Sequence, residues 1–197
     1  MHRLFFVFFV GLTLIASKVS ANDSLYGFAF TQTYPQDSTK KDSVQKSVPK
    51  TYLLDKKTYK MTLPATWEIA PNCTEEYCNV FSPTDTLGFI DRFVENINIT
   101  VQKLPTPTYT VDQYATFSVG YLPKVVKEFV VVERKKLKSN LVRLTYKGIK
   151  DNFQQTWRQY YYIKNQKVFI VTFACETSKY KYYQPFIESY LNSFTLK

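Results

Sequence analysis

The apolar and polar positions divide the chain into an unpatterned beginning and a strongly patterned remainder. Leu4 to Ala16 is an uncharged apolar run behind the basic start Met1-His2-Arg3, and Val19-Ser20-Ala21 closes it with small residues. Thirteen apolar residues reach about 20 Å as a helix against the ~30 Å hydrocarbon core of a bilayer. The run therefore predicts an export signal over residues 1–21, with an uncleaved anchor as the alternative. Residues 22–50 are rich in Ser, Thr, Asp, Lys and Gln without sustained periodicity, and read as a flexible polar leader.

A single domain is expected over 51–197. Tyr52-Leu53-Leu54 and Tyr59-Lys60-Met61-Thr62-Leu63 have strand patterns joined by a turn at Asp55 to Thr58. Trp67 follows as a core anchor. Between Val94 and Lys103, Ile97, Ile99 and Val101 alternate with Asn96, Asn98, Thr100 and Gln102, as a half-buried strand requires. Thr110 to Gln113 has the capping-box spacing. Tyr114, Phe117, Tyr121, Leu122, Val125 and Phe129 continue from it at helical spacing, so the pattern predicts one helix, kinked or split at Gly120 and Pro123.

Beyond Val130 the alternation predicts four strands near 130–138, 141–149, 153–164 and 167–175. Ser139-Asn140, Asp151-Asn152 and Asn165-Gln166 supply tight connections. In the third of these strands Phe153, Trp157, Tyr161 and Ile163 share one face and Arg158, Tyr160, Tyr162 and Lys164 the other. Val168 to Ala174 is apolar on both faces, which predicts a central strand. Tyr183, Phe186, Ile187, Tyr190, Leu191 and Phe194 make a second amphipathic helix, expected to start near Ser178 with Pro185 close to its first turn. Strands cluster and helices stand apart, so the fold class is α+β with a mostly antiparallel sheet.

Composition narrows the chemistry. The 197 residues include one histidine, His2, which leaves with the signal. Ser-His-Asp and Cys-His catalysis, His-ligated metals and histidine pH switching then have no residue to act through. No Gly-rich phosphate loop is present and no cofactor is expected. Loss of residues 1–21 removes Arg3 and Lys18 and no acid, so 26 basic residues fall to 24 against 16 acidic ones, a net +8. Residues 124–150 hold nine basic side chains against Glu128 and Glu133, a net +7.

Such a concentration favours anionic partners or simply solvates a strand face. The candidate binding face is Arg134, Lys135, Lys136, Lys138 and Arg143, with Arg158, Tyr160 and Tyr162 if these look outward rather than lie under a helix. The partner expected is a protein, acidic in character, with weak binding to anionic surfaces as a further option. No nucleic acid is expected, and the chain is expected to act as a monomer. In an oxidising compartment Cys73 and Cys78 are the favoured disulfide, with Cys175 a buried thiol; a bridge from either to Cys175 is the alternative. Sequons stand at Asn22, Asn72 and Asn98.

Several stretches taken in order carry a family resemblance. They are Lys60-Met61-Thr62-Leu63-Pro64-Ala65-Thr66-Trp67, Asn96-Ile97-Asn98-Ile99-Thr100-Val101, the helix opened by Thr110 to Tyr114, Lys167 to Cys175 with Glu176-Thr177, and Leu191-Asn192-Ser193-Phe194. Together they resemble the PsbP/Mog1-like family, which includes many exported bacterial PsbP-like proteins, over about residues 51–197. The resemblance implies an α/β/α sandwich around an antiparallel sheet. It also implies an exported, non-catalytic accessory protein that docks on another protein, and it carries over no catalytic residue. Two other functions remain in view. One is a basic module that binds polyanions or anionic membranes; the other is a His-free hydrolase built on carboxylates such as Asp85, Asp91 or Glu95.

Overall fold

The computed structural model describes residues 51–83 and 93–197. The signal, the leader, Asn22, Asp85 and Asp91 lie outside the described residues. In chain order the elements are β1 (Thr51–Asp55), β2 (Tyr59–Pro64), β3 (Glu68–Ile69), β4 (Tyr77–Phe81), β5 (Asn96–Lys103), α1 (Val111–Tyr121), β6 (Lys127–Lys138), β7 (Leu141–Lys150), β8 (Phe153–Lys164), β9 (Lys167–Glu176), α2 (Tyr180–Asn192) and β10 (Thr195–Leu196). Seven strands form one sheet in the order β3-β4-β5-β9-β8-β7-β6, and β1-β2-β10 form a second, smaller one. Every pairing is antiparallel.

The two-residue hairpins follow from local chemistry. Asp151, Asn152, Asn165 and Gln166 all have positive φ (52°, 67°, 50° and 58°). This is the backbone that a two-residue turn needs if it is to match the right-handed twist of its strands. Asn and Asp adopt it at low cost. These turns set β7 against β8 from Leu141↔Tyr162 to Lys150↔Phe153, and β8 against β9 from Gln155↔Glu176 to Lys164↔Lys167.

Period-two alternation then divides the sheet into two faces. Trp157, Tyr161, Val168 and Ile170 pack with Tyr114 and Ala115 of α1 in one core. Tyr160, Tyr162, Phe169, Val171 and Phe173 pack with Ile187 and Leu191 of α2, and with Met61 and Leu63 of β2, in the other. The doubly apolar β9 is central as expected, between β5 and β8. The result is an α+β sandwich, helix on sheet on helix, with the small sheet alongside α2.

The helix starts as its sequence predicts. Gln113 N–H donates to Thr110 Oγ1 at 3.3 Å, and Thr110 N–H donates to Gln113 Oε1 at 2.8 Å. A cap of this kind is worth about 1 kcal/mol. The end differs from expectation. The helix stops at Tyr121, Leu122–Lys124 forms one 3-10 turn, and Phe129 lies in β6 against Tyr146 at 5.3 Å. Pro123 has no N–H to continue the ladder, and the strand beyond it offers the aromatic residues a second apolar face.

Two further features differ from the single-sheet pattern read from the sequence. The polar segment around Cys78 contains β4, paired with β5 from Tyr77↔Thr100 to Phe81↔Asn96. The first two strands do not join the main sheet. α2 begins at Tyr180 with Pro185 just past its first turn, close to where the pattern placed them.

Candidate functional site

The eight residues of the anticipated binding face separate into three environments. Arg158, Tyr160 and Tyr162 are 5%, 0% and 8% exposed, beneath α2. They leave the candidate surface because their face of β8 is the one that α2 covers. Tyr162 packs on Phe194 at 4.8 Å, and the Tyr160 hydroxyl donates to Glu188 Oε1 at 2.9 Å.

Arg143, half-buried, joins Arg158 and Tyr160 in one network. Its Nε and Nη2 donate to Glu133 Oε2 and Oε1 at 3.1 and 2.8 Å, and its Nη1 to Glu188 Oε1 at 2.9 Å. Arg158 pairs with Glu188 Oε2, reaches Glu133 at 3.8 Å, and lies over the Tyr180 ring at 5.7 Å. Two arginines and two glutamates cancel, so this network joins β6, β7, β8 and α2 without adding net charge. The Arg143 guanidinium holds the Glu133 carboxyl below its ordinary value of 4.5, through its hydrogen bond first and its charge second.

What remains of the basic face lies on β6. Arg134, Lys135, Lys136 and Lys138 are exposed. Arg134 Nη2 donates to the Asp112 carbonyl at 2.8 Å and Lys136 pairs with the Asp112 carboxylate, so these two side chains lean toward α1. Lys135 stands opposite Arg143 and so lies on the α2 side.

β6 is the last strand of the sheet, and among the described residues it pairs with β7 alone. Its first half exposes Val130, Val131 and Val132 at 48%, 39% and 57%. The register against β7 shifts between Lys127 and Val130, between Val131 and Glu133, and between Lys136 and Lys138, which leaves Glu133–Lys136 as a regular stretch. At the first shift Glu128 has φ 51° opposite Gly148. A Cβ on Gly148 would stand 2.4 Å from Val126 Cγ1 and 2.6 Å from the Lys127 carbonyl, so glycine is what lets β6 begin so close to β7. Beside this shift is an open hollow of about 300 Å³ lined by Glu128, Val130, Lys147, Gln154 and Thr177.

At the opposite end of the sheet Cys73 and Cys78 are bridged. The bridged loop is fastened to the β1–β2 turn, where Lys57 N–H and Thr58 N–H donate to Glu75 at 3.0 and 2.9 Å. Cys175 is the buried free thiol. Burial first, and Glu95 second, push that thiol well above its ordinary value, which disfavours the thiolate. Glu95 is itself buried, with Lys179 Nζ at 3.3 Å.

Among the described residues no group of three His, Cys, Asp or Glu could hold a metal ion, and no helix is long and apolar enough to cross a membrane. Asn72 is exposed, whereas Asn98 is half-buried in β5 and donates to Asn79 Oδ1 at 2.7 Å. Sequence reasoning missed Val130 to Val132 as surface and missed Asp112, Glu133 and Glu188 as the acids that consume the basic run. The available signal was the unalternated valine triplet running directly into Glu133-Arg134-Lys135-Lys136.

No protein-family model matches the chain, and no curated protein matches it. Solved structures do. Cyanobacterial PsbP (CyanoP) from Synechocystis sp. PCC 6803 superposes with a TM-score of 0.53 at 9% identity, covering 78% of this chain and 96% of that one. LpqN, involved in cell envelope biogenesis of Mycobacterium tuberculosis, gives 0.53 at 11% identity over 75% and 91%. A protein of unknown function from Pseudomonas aeruginosa gives 0.51 at 13% over 71% and 92%. The fold is PsbP-like, in agreement with the resemblance read from the sequence.

Proposed function

We propose that the chain is an exported, non-catalytic accessory protein that docks on another protein through the β6 edge and the basic residues on it. The observation that supports this reading is the strand's outer half-surface. Three exposed valines run into Arg134, Lys135, Lys136 and Lys138 on a terminal strand that the described residues leave uncovered. Apolar contact supplies association energy there, and charge supplies orientation and rate. The Cys73–Cys78 bridge supports an oxidising compartment, as expected for an exported chain. The cell-envelope role printed for LpqN, a structural neighbour, supports the same surroundings.

The test is capture from extract of the source cells on the immobilised chain, with release in steps of rising salt. Wild type is compared with a Lys135→Glu/Lys138→Glu variant of equal thermal stability. One protein held at moderate salt, in near-stoichiometric amount and lost in the variant, is the expected result. A mixture of acidic species released together at low salt would replace this reading with a polyanion-binding patch. Retention of nothing would remove both.

A further inference from the structure

Resting on that docking reading, we infer that the partner is engaged as an extended segment with alternating acidic and apolar residues, added as an eighth strand along β6. A terminal strand presents a row of outward N–H and C=O groups that a further strand can pair with. Among the described residues the other sheet edges are shorter and lack the basic run: β3 and β10 have 2 residues each and β1 has 5, whereas β6 has 12. Between its irregularities β6 keeps Glu133–Lys136 in regular register with Thr145 to Val142, a length sufficient for a short added strand.

The distribution of charge selects the occupant. On the α1 side Arg134 and Lys136 already share Asp112, and Val131, which stands opposite Tyr146, adds an apolar contact there. On the α2 side Glu133 is committed to Arg143, while Lys135 is exposed. An added strand therefore finds Lys135 on the α2 side, and on the α1 side Arg134 and Lys136 already drawn to Asp112, with Val131 beyond the register shift, so an acid suits the first side and an apolar residue the second. A second copy of this chain fits poorly. Edge-to-edge pairing would bring two sets of Arg134, Lys135, Lys136 and Lys138 together, and like charges across strands destabilise. Lysines and bulges are the devices by which edges resist pairing with themselves; here they leave an opposite-charged strand acceptable.

The probe is a blocked synthetic peptide of alternating glutamate and valine, titrated into the full chain at low salt while amide exchange is followed. The control carries N-methyl groups on alternate backbone nitrogens, which keeps charge and side chains but deletes the outward-facing donors. The expected result is exchange within Glu133–Lys136 slowed about tenfold, at peptide near ten times its Kd. The methylated peptide should bind about tenfold or more weakly, the equivalent of one or two lost hydrogen bonds. A Lys135→Glu chain should bind the parent peptide more weakly while melting at the wild-type temperature.

Equal binding of both peptides would overturn strand addition and leave docking through charge intact. Binding of neither, with the extract capture succeeding, would overturn the inference alone. If capture fails too, the docking reading falls with it. A β6-dependent dimer that the peptide does not dissociate would also overturn the proposal.

Discussion

Beneath α2, Arg143 and Arg158 meet Glu133 and Glu188 in a set whose charges cancel, closed over by Tyr160 and Tyr180. One strand further out, Arg134, Lys135, Lys136 and Lys138 face solvent, with Asp112 as the acid that two of them reach. Both sets belong to the same basic region of sequence, and a linear charge count cannot tell them apart. The difference is imposed by the strand pleat and by what packs on each face. Where a helix covers the sheet, each cation must bring an anion with it or remain desolvated at high cost. At the edge, hydration satisfies the cation and its field extends outward. The first set holds the scaffold together; the second is the surface on which we propose that a partner docks.

The largest effect that would test this contrast is expected from Arg158→Ala. It removes the buried guanidinium that pairs with Glu188 and leaves Arg143 alone to hold both carboxylates, for a loss of about 2–3 kcal/mol in urea unfolding. The double change Arg158→Met with Glu188→Gln should recover much of that loss, because no uncompensated charge is left behind. Equal losses in the single and double variants would show that the network does not act as a unit.

Next comes Gly148→Ala. The added methyl meets a backbone carbonyl as well as Val126, so the start of β6 must shift. The expected loss is about 1–3 kcal/mol, together with faster amide exchange in β6 than in β9. Uniform acceleration of exchange through the sheet would argue against a locally anchored edge.

A smaller effect lies in pH. Arg143 holds the Glu133 carboxyl below 4.5 in the folded chain. Its stabilisation is therefore complete at neutral pH and fades as pH falls from about 4.5 through the lower folded value. Glu133→Gln should lower stability at neutral pH and flatten that acid limb. An unchanged acid limb would show that Glu133 does not carry it.

The smallest change in stability belongs to the edge. Lys135→Glu should shift folding by no more than about 0.5 kcal/mol, while weakening capture of the partner. A large destabilisation would mean that Lys135 belongs with the buried set after all.

Much of the scaffold was legible because its signals are local. The capping box at Thr110 and Gln113, the turn residues at 151–152 and 165–166, the clean alternation of Ile97, Ile99 and Val101, and the apolar run of β9 each depend on near neighbours. The Cys73–Cys78 bridge was legible for the same reason. Long-range placement was not. Which face of β8 receives α2 decides whether Tyr160 and Tyr162 are surface or core, and alternation assigns residues to a face without saying what covers it. β4 was hidden because its pairing with β5, not its own short pattern, makes it a strand. The stripe from Tyr121 to Phe129 misled because aromatic residues at helical spacing also fit a bulged strand beyond a proline.

The most direct test of the account is photo-crosslinking of the full chain in extract of the source cells, with the reactive group placed at Val132 on β6 or at Tyr182 on α2. Both positions are exposed, at 57% and 81%, so access alone does not favour β6. The account predicts one discrete protein adduct from Val132, abolished by Lys135→Glu/Lys138→Glu, and none from Tyr182. A discrete adduct from Tyr182 with none from Val132 would place the docking surface on the helix and contradict it.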